Sequence, residues 1–146
     1  MKRGVIVCLA LVFFPLGCGY FEWGTWEDDS DNWERAFGTS KPDDVVVMHS
    51  KYWRSAHWTY ECEYFFEIQR NEEFRKQLFG ENELVRLEEP DAIRAKGDCF
   101  GEVPEWFAPK PGQEYEVWQY ADEPKGHFRL FVDKQTGNLF LTDYQI

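Results

Sequence analysis

Positive charge is scarce in this chain. Sixteen Lys and Arg face 27 Asp and Glu, a formal net charge of −11. A surface of that sign repels phosphate backbones and anionic headgroups, so no nucleic-acid partner is expected. Catalytic signatures are missing too. His49, His57 and His127 are dispersed without HExxH spacing, and there is no GxSxG elbow or glycine-rich phosphate loop. No enzyme activity, cofactor or metal is therefore expected. Long hydrophobic runs are also absent. The apolar stretch Gly4 to Phe14 would reach about 16 Å as a helix, roughly half a bilayer core, which argues against a spanning segment. No internal repeat, low-complexity tract or Asn-x-Ser/Thr sequon occurs.

What is present begins at the N-terminus. Lys2 and Arg3 precede the apolar stretch, and a small residue closes it, the layout of a secretory signal. The closing residues Pro15-Leu16-Gly17-Cys18 resemble the lipobox of bacterial lipoproteins. In that family the signal is cut before the Cys, whose sulfur carries a diacylglyceryl group. The chain departs from the family at Pro15, where an aliphatic residue is usual, and at Leu16, which is larger than usual. The resemblance implies a signal peptide over residues 1–17 and lipid on Cys18. It further implies membrane attachment in the cell envelope, at the outer membrane if the source is Gram-negative. Two or three acyl chains hold durably where one is marginal. The alternative is an ordinary secretory signal that leaves Cys18 as a thiol.

Removal of Lys2 and Arg3 with the signal takes the formal charge from −11 to −13. That suits a cationic protein partner, and equally a plain solvated surface. Of four cysteines, Cys8 leaves with the signal and Cys18 is the lipid site. Cys62 and Cys99 remain, an even pair in an exported chain, and a disulfide between them is expected. Its loop would contribute roughly 4 kcal/mol in the chain-entropy account. Two buried thiols are the alternative.

The pattern of elements predicts an α+β fold: a single antiparallel sheet of four to six strands, one or two short helices and one disulfide. Residues 18–30 would be an acylated Cys with an aromatic and acidic tether, and 31–146 a single globular domain. Tyr20, Phe21, Trp23 and Trp26 in the tether suit either a membrane interface or packing onto the domain. Asp31 and Glu34 have capping-box spacing for a helix stopped by Gly38. The acidic run Glu27-Asp28-Asp29 lacks a calcium-loop pattern. Val45 to His49 suits a strand. From His57 to Ile68, apolar and polar residues alternate, predicting one long half-buried strand with Cys62 on its apolar side. Asn71 opens a helix that Gly80 would stop. Glu83 to Glu88, Glu114 to Ala121, Phe128 to Val132 and Leu139 to Thr142 read as further strands. The last two are joined by a turn in which Gly137 supplies positive φ. Pro90 to Gly112 is irregular.

The polar side of the long strand carries the candidate surface. His57, Glu61, Glu63 and Glu67 would face solvent there, with Trp53 and Arg54 beside them in the segment Tyr52–Trp58. Exposed Trp with Arg and His suits protein recognition. His57 and Glu61 stand about 13 Å apart on an extended strand, too far to share a metal. Glu61 and Glu63 could approach a glycosidase-like spacing, but like charges on one open face are ordinarily solvated. The expected function is a membrane-anchored acidic protein-binding module, in one form an immunity- or inhibitor-type lipoprotein. The alternatives are a carbohydrate or peptidoglycan binder using Trp53, Trp58 and Trp106, and a hydrolase.

Overall fold

The computed structural model describes residues 23–56, 61–88, 99, 101–109, 114–122 and 127–146. The signal segment, Cys18, Tyr20, Phe21 and the stretch His57–Tyr60 lie outside the described residues.

Elements follow in the order β1 (Gly24–Glu27), α1 (Asn32–Phe37), β2 (Val47–Arg54), β3 (Cys62–Ile68), α2 (Glu72–Glu81), β4 (Leu84–Arg86), β5 (Tyr115–Tyr120), β6 (Arg129–Asp133) and β7 (Leu139–Gln145). The strands form one sheet in the order β1-β2-β3-β7-β6-β5-β4, every pair antiparallel. Seven strands exceed the expected four to six. The surplus is β1, from the stretch read as a tether, where Gly24 to Glu27 pair with Arg54 to Lys51. Trp26 packs against the core, while Trp23 is 65% exposed.

Side-chain alternation gives the sheet two faces. On the first, Tyr64, Phe66 and Ile68 of β3 meet Leu139 and Leu141 of β7 and Leu130 and Val132 of β6. Both helices cover this face. Trp33 of α1 lies edge-on to Phe66, at 5.8 Å between ring centroids, and 5.7 Å from Phe74 of α2. On the second face, Phe65, Phe131, Phe140 and Val117 gather under Phe107 from the irregular segment. Phe107 meets Phe65, Phe131 and Phe140 edge-to-face at 5.0, 5.9 and 5.7 Å. Such geometry suits the ring quadrupoles.

This two-faced burial corrects two expectations. Cys62 packs with the helix-covered cluster and Cys99 with the loop-covered one, so the sheet lies between them and no disulfide joins them. A bridge requires Cα atoms within about 7 Å and converging Cβ vectors, which residues on opposite sheet faces do not offer. The second correction concerns the side of β3 expected to face water. Phe65 and Glu63, both 2% exposed, lie on it and are buried.

The helix ends show local chemistry deciding boundaries. α1 stops at Gly38, at φ +67, whose N–H donates to the Glu34 carbonyl. Asp31 caps without a side-chain bond; its N–H instead donates to Asp29 Oδ1 at 2.8 Å. α2 opens on Asn71, whose Oδ1 accepts from Phe74 N–H at 2.9 Å. It runs through Gly80, because Asn82 ends it by donating both its N–H and its side-chain amide to the Leu78 carbonyl. The β6–β7 turn follows expectation, with Gly137 at φ +79 donating to the Asp133 carbonyl.

Candidate functional site

The predicted surface on β2 and β3 is divided by the pleat of the sheet. Trp53 pairs with Glu63 and His49 with Glu67, which places all four on the loop-covered face. Arg54 pairs with Cys62 on the helix-covered face. His57 lies outside the described residues. Trp53, Arg54, Glu61 and Glu67 are all partly buried. Glu63 is buried, and its Oε2 accepts from Gly101 N–H at 2.8 Å, which holds the irregular segment onto the sheet. A buried carboxylate of this kind is a fastening, because leaving it without donors would be costly. Buried Arg129, Gln119 and Thr142 accompany it on the same face.

Trp106 is stacked on His49 at 5.4 Å and meets Phe107 edge-on at 5.9 Å. Trp58 lies outside the described residues. Burial pushes the Cys62 thiol above its ordinary value, so it is not primed as a nucleophile. No group of three metal-ligating side chains occurs among the described residues. No helix among them is long and apolar enough to cross a membrane.

What the fold does assemble is a cavity of about 420 Å³ beside α1. Its walls come from two segments: Asp28–Ser30, which joins β1 to α1, and the strap of residues 41–48 leading into β2. The first segment is held by backbone and side-chain bonds at the sheet edge. Asp28 N–H donates to the Ser50 carbonyl at 2.7 Å, and Asp28 Oδ1 accepts from Ser50 N–H at 2.9 Å. Asp28 holds φ +50, a left-handed conformation in which Asp is one of the few tolerated side chains. Asn32, fully buried, donates from Nδ2 to the Trp26 carbonyl and to Ser50 Oγ, both at 3.0 Å, and locks α1 to β1 and β2. Arg35 completes the brace. It pairs with Asp29 at 3.1 Å, donates to Asn32 Oδ1 and lies 4.7 Å over the Trp26 ring.

The strap is pinned from behind. Asn71 donates to the Asp44 carbonyl at 2.8 Å and to Asp44 Oδ2 at 3.0 Å, while Gln69 N–H donates to the Val46 carbonyl. Lys41 lies across it and donates to the carbonyls of Pro42 at 3.0 Å and Val45 at 2.6 Å.

Two chemistries meet in this cavity. Trp33, Val45, Val47 and Phe66 supply apolar wall, and Asp28, Asp29 and Asp43 supply carboxylates. The Asp31 N–H bond, with help from Arg35, holds the Asp29 carboxyl below its ordinary value and therefore ionised at neutral pH. Val46 and Met48, 51% and 47% exposed, add apolar surface among the lining residues. In the sequence, Asp28 and Asp29 stand out only as part of an acidic run without a calcium-loop pattern, and Asp43 lies just before the Val45–His49 strand. The available signal was two acidic clusters flanking one short helix. No family model, curated protein or solved structure matches this chain.

Proposed function

We propose that this protein is a membrane-tethered acidic module that binds a cationic protein partner, held in the cell envelope by lipid on Cys18. The observation that carries this reading is the cavity between Asp28–Ser30 and residues 41–48, whose lining includes Asp28, Asp29 and Asp43 together with the exposed apolar side chains of Val46 and Met48. Protein recognition favours such mixtures, because apolar contact supplies affinity while complementary charge supplies steering and specificity. The formal charge of −11 supports a partner of opposite sign. An immunity- or inhibitor-type lipoprotein that caps a basic toxin or a lysozyme-like enzyme is the concrete form of this proposal.

The test uses the full chain in detergent micelles against purified basic proteins, lysozyme included, with calorimetry at low and physiological salt. Saturable binding that persists at about 0.15 M salt, where the Debye length is about 8 Å, is the expected result. Binding no stronger than to an unrelated acidic protein of similar charge overturns the reading. The tether is tested separately. Cys18→Ser is expected to abolish acyl labelling and release the chain from membranes, and labelling that persists removes the anchor.

A further inference from the structure

We infer that the domain lies against the lipid bilayer with the Gly24–Arg54 end of its sheet, and that Trp23 enters the lipid interface there. This rests on the reading of Cys18 as the lipid site, and adds to it a contact surface and an orientation.

The first observation is how little chain separates lipid from fold. The stretch expected to be a tether contains β1, so only residues 19–23 lie between Cys18 and the sheet. Six Cα steps from Cys18 to Gly24 reach at most about 22 Å. A folded body of this size has a radius of gyration of about 14 Å, and so a diameter of about 35 Å. The domain therefore cannot stand off from the lipid by its own diameter, and the surface around Gly24 meets headgroups.

The second observation is what that surface presents. Trp26 packs against the core, 6.0 Å from Tyr52 and under the Arg35 guanidinium, whereas Trp23 is 65% exposed. An indole left in water forgoes the burial its apolar body favours. At headgroup depth the ring is desolvated while its N–H keeps a partner. Gly24 holds φ +149, which L side chains rarely adopt, so the chain enters β1 through a bend that the backbone fixes.

The third observation is the distribution of charge along the strands. Gly24 pairs with Arg54 and Arg54 with Cys62, so these residues share one end of the sheet. Glu61 belongs to the same end, where its carbonyl accepts from Ser55 N–H, and its charge offsets that of Arg54. Glu27, Asp28 and Asp29 lie at the opposite end of β1, as do Asp44 on the strap, Glu72 of α2 and Asp133 of β6. The length of β1 keeps them about 10 Å further from the lipid. That exceeds the Debye length of about 8 Å at physiological salt. Anionic headgroups thus repel the acidic end weakly in this orientation and strongly in the inverted one. Glu83 and Asp122 share the anchor end but lie beside β4, six strand spacings or about 29 Å across the sheet from β1. The acidic end is left facing the aqueous phase, from which a cationic partner approaches.

The experiment places the full acylated chain, labelled with 5-fluorotryptophan, in phosphatidylcholine vesicles containing phosphatidylglycerol. Fluorine spectra are recorded with and without a lipid carrying a nitroxide on its headgroup, and Trp23→Phe and Trp106→Phe assign two resonances. Trp106 is the reference, because it stacks on His49, about 16 Å along β2 from Arg54. Relaxation enhancement falls with the sixth power of distance, so Trp23 is expected to exceed Trp106 by about tenfold or more over such a separation. Equal enhancement at both, none at either, or a larger one at Trp106, in a chain that pellets with the vesicles, overturns the orientation and leaves the anchor standing. A wild-type chain that carries no acyl group and does not pellet removes the anchor, and the inference with it.

Discussion

The two faces of the sheet are buried by different means, and they differ in what they bury. The first face is covered by α1 and α2 and is mainly aromatic and aliphatic, from Trp33 and Phe74 down to Leu130 and Leu141, with Asn32 bonded to Ser50 as a buried polar pair. The second is covered by an irregular segment in which Phe107 stands over Phe65, Phe131 and Phe140, and beside this small cluster lie Glu63, Arg129, Gln119 and Thr142. A helix satisfies its own backbone and can offer a purely apolar stripe to a sheet. An irregular segment leaves backbone N–H groups to be satisfied, and the sheet beneath it supplies acceptors, as Glu63 does for Gly101. The lid built from loop therefore lies over buried charged groups, Glu63 and Arg129, whereas the helix-built lid buries the neutral pair Asn32 and Ser50.

The largest test of this contrast is Phe66→Ala on the helix-covered face. Phe66 is fully buried and touches Trp33, Phe37 and Tyr64. A loss of about 4 kcal/mol is expected in urea unfolding, because the helices around it cannot collapse into the space. Phe107→Ala should cost about 2 kcal/mol in the same assay, since an irregular segment relaxes more freely onto the gap. Equal losses would show the two lids to be equally rigid. Glu63→Ala removes the acceptor for Gly101 N–H and is expected to cost about 1–2 kcal/mol, with faster hydrogen exchange at Gly101. Glu63→Gln, which retains an acceptor oxygen, should recover most of that loss; if it does not, the charge itself matters on this face.

Gly137→Ala tests the turn between β6 and β7, strands common to both faces. At φ +79 an alanine is strained, and its Cβ would lie 2.8 Å from Arg70 Cδ, a flexible group able to shift. About 1 kcal/mol is expected from thermal unfolding. The smallest effect is a dependence on pH. Partial burial pushes the Asp133 carboxyl up, but N–H groups of Thr136 and Gln135 with the Thr136 and Tyr115 hydroxyls outweigh it and bring it below the ordinary value. Asp29 is lowered by the Asp31 N–H bond and Arg35. For a carboxyl lowered by folding, the contribution is present above the unfolded value and disappears as pH falls through the folded one. Stability should thus hold from neutral pH down to about 5 and decline below about 4. A decline beginning near pH 6 would point to other groups.

Much of the architecture was legible because local patterns agreed with it. Alternation through Cys62–Ile68, the Asn71 cap, the Gly38 stop and the Gly137 turn each follow from side-chain period or backbone freedom, and each is found. β1 has no local signature, because Gly24-Thr25-Trp26-Glu27 is short and adjoins an acidic run; pairing with Lys51–Arg54 makes it a strand. α2 extends past Gly80, the stop that its sequence predicts, because Asn82 performs that role. Among candidate site residues, the types were recognisable but their surroundings were not. Glu63 has the alternation of a solvated acid, yet a segment some forty residues distant covers it. Asp28, Asp29 and Asp43, unremarkable in the sequence, share a cavity.

By itself the sequence determined the antiparallel sheet, the short helices, the acidic charge and the aromatic supply for a core, because each depends on composition or on neighbours a few residues away. Tertiary structure alone decided which faces were closed. Alternation names two sides of a strand but not what covers them. It placed Cys62 and Cys99 on opposite faces, turned Glu63 inward, and brought two acidic segments together in the lining of one cavity. Those outcomes depend on contacts between residues far apart in the chain, whose cost and gain no local pattern records.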